Sequence, residues 1–210
     1  MQLKVILDAG HGDEDPGKVG IDGTLEKNIN LEIAKMVQKF LEREDIQVIM
    51  TREDDTIDVG KEKGSKKVAD MKRRVALINE EVPAVIVSIH QNSYQDAAVN
   101  GPQTFYYTAS KEGKELAGYI QRELVRTLKP GKEREIKEND TYYLLKKTNS
   151  SIVIVKCGFL SNPDEAKKLN EKKYQRRAAW AIQMGILEYL NSAVRSESAM
   201  VLKDYRYKNR

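Results

Sequence analysis

Short aliphatic runs alternate along this chain with longer stretches whose apolar residues recur every three or four positions. Val5-Ile6-Leu7, Gln47-Val48-Ile49-Met50, Ala84 to Ile89 and Ile152 to Val155 are brief, aliphatic or β-branched, and followed by polar residues or glycine, the pattern of buried strands. Between the first two, Ile29, Ile33, Val37, Phe40 and Leu41 form an inward helical stripe. Three further helices are expected, approximately Val68 to Asn79, Lys111 to Thr127 and Lys172 to Leu190, the last with Ala178, Ala181, Ile182, Gly185, Ile186 and Tyr189 on one side. Strand-helix-strand repetition predicts an α/β fold: a single twisted, mostly parallel sheet flanked by helices. Two charged stretches, Glu53 to Lys67 and Lys129 to Asp140, interrupt the pattern and are expected as long surface loops, the first on the rim of a cleft at the strand ends.

Composition narrows the class. With 210 residues, 40% hydrophobic and 32% charged, the chain is long and apolar enough to bury a core, which excludes disorder as its main state. The net charge of +4 is uneven: residues 191–210 carry five Lys/Arg and two acids, leaving only +1 on residues 1–190. The expected organisation is one folded domain over 1–190 and a basic, mobile C-terminal tail over 191–210, whose alternative role is an anionic-surface contact through Tyr205-Arg206-Tyr207-Lys208. The near-neutral body, with no dense basic run interleaved with aromatics, argues against a nucleic-acid partner. No run approaches the roughly 20 apolar residues of a membrane span. The chain opens directly into a strand-like run, with no charged-then-apolar leader. A lone cysteine, Cys157, excludes an internal disulfide.

The chemistry gathers at strand ends. The first strand runs out into Asp8-Ala9-Gly10-His11-Gly12 and the third into Ser88-Ile89-His90-Gln91-Asn92, so the chain's two histidines share one edge of a parallel sheet. A single histidine there is ordinarily a turn residue bonded to backbone; two at equivalent points ask for another explanation. Glu26 supplies it. Following Thr24, a candidate helix cap, it lies three, seven and eleven residues before Ile29, Ile33 and Val37, on the buried stripe. A helix dipole favours a carboxylate in the first turn but does not explain why it faces inward. Buried charge is costly unless paired or bound to metal, and two imidazoles with one carboxylate form a familiar zinc set with an open fourth position. His11, Glu26 and His90 are therefore the candidate metal ligands, brought together by the fold across gaps of 15 and 64 residues. There is no HExxH helix, and the Gly10–Gly17 region lacks the glycine and Gly-Lys-Ser/Thr positions of nucleotide loops while carrying Asp13, Glu14 and Asp15.

These residues resemble the zinc-dependent N-acetylmuramoyl-L-alanine amidases of bacterial cell walls. The likeness rests on Leu7 to Gly12, Glu26, Met50-Thr51-Arg52 with Asp55, Arg74 with Asn79, Ser88 to Ser93, and Gly158-Phe159-Leu160-Ser161-Asn162, and covers about residues 3–190. Asn139 to Leu145, Trp180-Ala181-Ile182 and Gly185-Ile186-Leu187 look most like the germination-specific, CwlD-type members, which act on spore cortex. The resemblance implies zinc on His11, Glu26 and His90, a largely parallel sheet, and hydrolysis of the bond between the muramic lactyl group and L-alanine. It implies a peptidoglycan or muropeptide partner, room for an activating or anchoring protein, and a location in the cell wall or spore envelope.

One position departs from the family. The catalytic glutamate that the resemblance leads one to expect two residues before Gly158 is Lys156, within Ile154-Val155-Lys156-Cys157-Gly158. Two neutral histidines, one carboxylate and Zn²⁺ sum to +1, and a protonated Lys156 makes +2; at an effective dielectric near 20 and about 5 Å, two unit charges repel by about 3 kcal/mol. Three readings stay open. Lys156 blocks turnover in an otherwise intact site; it serves as an unusual base with a lowered pKa; or it turns to solvent while another carboxylate, such as Glu138, assists. Strand alternation sends Cys157 to the opposite face, as a buried structural thiol rather than a ligand.

Overall fold

The computed structural model describes residues 3–57 and 65–208, with side chains to residue 193. The elements run β1 (Lys4–Ala9), α1 (Glu26–Glu42), β2 (Gln47–Met50), α2 (Lys66–Glu81), β3 (Val85–Asn92), β4 (Gln103–Tyr107), α3 (Lys111–Leu128), β5 (Lys137–Asn139), α4 (Tyr143–Lys147), β6 (Ile152–Phe159), α5 (Pro163–Leu169) and α6 (Lys172–Lys208). The strands form one sheet in the order β2-β1-β3-β6-β4-β5. Every pairing is parallel except β4 with β6, because β4 enters next to β6 from the opposite direction. The expected α/β class with a mostly parallel sheet is what the chain adopts.

Period-two alternation divides the strands between two cores. Val5, Leu7, Val85, Val87, Val153, Val155 and Cys157 face α1, α3 and α6. Ile6, Ile86, Ile152 and Ile154 face the side covered by α2 and α4. Asp8, Ser88, His90 and Lys156 continue that second face toward the carboxyl ends of the strands, the first two fully buried and the last two lining the cleft. Their polarity is therefore a property of the sheet edge where α/β folds hold ligands.

Several boundaries move. The stretch 129–140, expected as loop, contains β5, a polar three-residue edge strand fixed by pairing Phe105 with Lys137 and Tyr107 with Asn139 rather than by hydrophobicity. α6 continues past the boundary at 190/191 and its backbone stays helical to Lys208. The side chains of Tyr205 to Lys208 lie outside the described residues. Thr24 is not the cap of α1: Leu25 holds that position without a side-chain bond, while Lys18 and Pro16 carbonyls accept from the Glu26 and Lys27 amides. Of the stretch Glu53 to Lys67, residues 58–64 lie outside the described residues; Ile57, Ser65, Lys66 and Lys67 line the cleft, on the expected rim. Among the described residues, no helix is long and apolar enough to cross a membrane.

Candidate metal centre and cleft

Three chain segments meet at the mouth of a cleft of about 1040 Å³. His11 leaves the end of β1 in the left-handed region at φ 64°. Glu26 opens α1 and is 1% exposed. His90 stands near the end of β3. One ligand atom from each lies within 4.8 Å of the other two. His90 Nδ1 is 3.0 Å from Glu26 Oε1 and His11 Nε2 is 3.3 Å from Glu26 Oε2. Tetrahedral zinc with bonds of about 2.1 Å sets its ligand atoms about 3.4 Å apart, so the donors fit that ion in number and type, and each histidine stands near that distance from one Glu26 oxygen.

The backbone around these groups leaves no room for side chains. A Cβ on Gly10 would lie 2.2 Å from the His90 ring, and one on Gly17, at φ +68°, would lie 2.6 Å from the His11 ring and 2.7 Å from Glu26 Oε2. Gly17 thus lets the 13–18 loop close over the carboxylate, and the Lys18 amide donates to Glu26 Oε2 at 2.7 Å. The Gln91 amide donates to Oε1 at 2.9 Å. Buried Asn30, one turn along α1, donates to the Gly10 carbonyl at 3.0 Å, and its amide nitrogen stands 3.5 Å from Glu26 Oε1. The Gln91 side chain donates to Asn30 Oδ1 at 3.1 Å.

His11 is oriented from the far side. Its Nδ1 is 2.9 Å from Asp15 Oδ2, so the tautomer that donates there leaves the Nε2 lone pair for a metal. Two buried guanidiniums hold the loop that carries it. Arg52 donates to the Ala9, Gly10 and Lys27 carbonyls, and Arg74 to the Ala9 and His11 carbonyls. Arg74 is itself fixed at 2.7 Å from Asp8 and 2.7 Å from Asp70. Asp8 also accepts from Thr51 at 2.7 Å and Ser88 at 2.5 Å.

Electrostatics follow from these contacts. Burial works against the Asp8 carboxylate, but Arg74 and the two hydroxyls outweigh it and hold the carboxyl far below its usual range. Burial likewise opposes Glu26, and the two imidazoles hold it well down. Burial would lower His11, yet Glu26 and Asp15 raise it; His90 stays lowered, its burial only partly offset by Glu26. Despite partial burial, Asp15 is held at about 2 by His11 and Lys67.

Lys156 does not turn to solvent. It pairs with His90 across β3 and β6 and lines the cleft, its Nζ 3.4 Å from the Gln91 carbonyl and 5.6 Å from the Tyr142 ring centre. Burial pushes its ammonium below the ordinary lysine range, with Glu26 opposing. Glu138 gives no help: its register partner Tyr106 faces the other core, so this exposed carboxylate stands on the opposite side of the sheet. Cys157 is buried in that other core, its thiol pushed up to about 12 by burial. The supporting roles of Asp15, Asn30 and Gln91 emerge only from the folded geometry. The spacing of Asp15 from His11 and of Asn30 from Glu26, four residues each, is the one linear signal for them.

The chain matches the family described as N-acetylmuramoyl-L-alanine amidase over residues 5–188. It belongs to that family. The match runs from β1 into the first half of α6 and includes every residue of the cluster. The germination-specific N-acetylmuramoyl-L-alanine amidase of Bacillus subtilis (strain 168) is 40% identical over 189 residues, covering 88% of this chain and 78% of that protein. Among solved structures, the CwlD amidase of Clostridioides difficile, in complex with the GerS lipoprotein, superposes with a TM-score of 0.85 at 40% identity, over 91% of this chain and all of that one. The catalytic domain of CwlV from Bacillus (Paenibacillus) polymyxa var. colistinus gives 0.80 at 31% identity, over 90% of this chain and 99% of its own. Peptidoglycan amidase chemistry is thus the family setting of the cleft.

Proposed function

We propose that residues 1–190 form a zinc-binding amidase domain of the spore-cortex type, acting outside the cytoplasm on the muramoyl–L-alanine amide, with turnover strongly impaired by Lys156. His11, Glu26 and His90 would hold the ion, which supplies a Lewis acid for the amide carbonyl and an acidified water. The chain's own residues supply the positioning. Asp15 keeps His11 in the ligating tautomer, and the Lys18 and Gln91 amides with Asn30 keep both Glu26 oxygens aimed inward. Hydrolysis further needs a group that takes a proton from water and returns it to the leaving nitrogen.

The observation that carries the impairment is the occupancy of that place. The side chain on β6 beside His90 is a lysine, and the other cleft carboxylates are engaged: Asp8 and Asp70 with Arg74, Asp15 with His11 and Lys67, Glu14 and Asp13 with Lys66. The same observation favours one second reading, a silent module that keeps the metal and holds muropeptide or a partner protein; a structural relative in complex with a lipoprotein lends it weight. Lys156→Glu separates the two. Restoring a general base is worth about 10²–10⁴-fold in rate. Cleavage of cortex fragments by the variant beyond the parent, with new amino-terminal L-alanine and free lactyl carboxylate, supports an amidase with a blocked base. Zinc in both forms and cleavage in neither overturns it.

A further inference from the structure

On the far side of the molecule, α1, α3 and α6 enclose a groove of about 460 Å³ that the cleft chemistry does not use. Phe40, on its wall, lies fourteen residues along α1 from Glu26, about 21 Å at the α-helical rise. Arg43 at the end of α1 and Lys173, Arg176, Arg177 and Trp180 on α6 line it. The α6 residues recur at the spacing of one helix face, so cations and the indole form a continuous stripe.

Helix-end chemistry accounts for part of this. Arg177 donates to the Thr127 carbonyl at the end of α3, and Arg43 suits the carboxyl end of α1. Arg176 stacks on Phe40 at 5.7 Å and Arg126 on Trp180 at 5.6 Å. The rest is unexplained by folding. Arg43, Lys173 and Arg176 have no carboxylate partner among the described residues, Glu44 is the one acid in the lining, and Trp180 remains 39% exposed. Four like charges beside an exposed indole form a field awaiting a repeated anion with flat apolar faces.

We infer that this groove binds a carboxylate-bearing glycan strand: peptidoglycan glycan stripped of its stem peptides. The inference rests on the proposed amidase reading: such a strand is what cleavage of that amide leaves, whether this chain or an unimpaired amidase makes the cut. Cutting the muramoyl–L-alanine amide frees a lactyl carboxylate on the sugar. Guanidinium and ammonium groups match carboxylates, and an indole packs against the C–H face of a pyranose ring. A groove remote from the cleft would hold the enzyme on a strand already processed.

Trp180 is the chain's only tryptophan, so intrinsic fluorescence reports on this groove directly. Titrating the full chain with stripped glycan strands should change the emission, neutral chito-oligosaccharides should do so far less, and added salt should weaken the response. Lys173→Gln with Arg176→Gln should weaken binding about tenfold or more while circular dichroism stays native. His90→Ala should leave it intact. No response to stripped strands, equal response to the neutral sugar, equal binding by the double variant, loss in His90→Ala, or tighter binding to phosphatidylglycerol vesicles or single-stranded nucleic acid each overturns the assignment. If Lys156→Glu never cleaves but the groove passes these tests, it is the hydrolysis that fails and not the groove.

Discussion

The two walls of the cleft are built to different standards. On the β1/α1 wall both oxygens of Glu26 and the Nδ1 of His11 have partners, and two arginines with a fully buried aspartate hold the backbone that presents them. On the β6 wall, Lys156 rests among the Tyr142 and Phe105 rings with one long hydrogen bond to a carbonyl. On the proposed reading, the difference teaches that gripping a metal and moving a proton are separable in this fold. The first depends on a network tied into the core, the second on a single side chain on one strand.

The largest effect should come from breaking the stronger wall. Replacing Arg74 by Met strands Asp8 as an unpaired buried charge, and such losses cost about 3–5 kcal/mol. Urea unfolding should show that loss, whereas Lys156→Met should leave the midpoint nearly unmoved. Equal sensitivity of the two positions would erase the contrast.

Next in size is the tuning of Glu26 by its amide ladder. Asn30→Leu removes a donor to Gly10 and Glu26, and changes to groups that orient metal ligands typically cost about 10–100-fold in affinity. Competition with a chelator should read this in zinc affinity, with Asn30→Gln recovering part of it if orientation rather than bulk is at stake. Unchanged affinity in Asn30→Leu would show the ladder to be structural only.

Acid should act through Asp8. Its folded-state pKa lies below its unfolded value of about 3.9, so it stabilises the fold above that pH, and the contribution is lost as pH falls below about 4 toward the folded value. The urea midpoint should fall over that interval and fall less steeply in Asp8→Asn, which starts weaker. Parallel curves would remove Asp8 as the cause. The smallest effect is expected at Cys157. Buried and with its thiol at about 12, it should react with thiol reagents only on unfolding, and Cys157→Ser should leave zinc affinity within about twofold.

The sequence made the His11, Glu26 and His90 cluster legible because each of the three sits where a pattern changes: two at the ends of β-branched runs and one where a helical stripe begins with a charge. It hid what depends on contacts between distant segments. Arg52 and Arg74 look like surface charges until β1 lies between them, and β5 is a strand only because β4 is beside it. β4 itself, Gln-Thr-Phe-Tyr-Tyr, carries a readable β-propensity signal but lacks the aliphatic run that marks the other central strands. The arginine-and-tryptophan groove has a partial linear signal, Lys173, Arg176, Arg177 and Trp180 on one face of α6, but its other walls come from α1 and α3.

The most direct measurement is the zinc content of the purified chain, taken by elemental emission beside its His90→Ala, Cys157→Ser and Lys156→Glu variants. One ion per chain is expected in the parent, in Cys157→Ser and in Lys156→Glu, and none retained by His90→Ala. A parent that takes up no zinc when it is supplied, or a His90→Ala variant that holds it as firmly as the parent, would contradict the assignment of His11, Glu26 and His90.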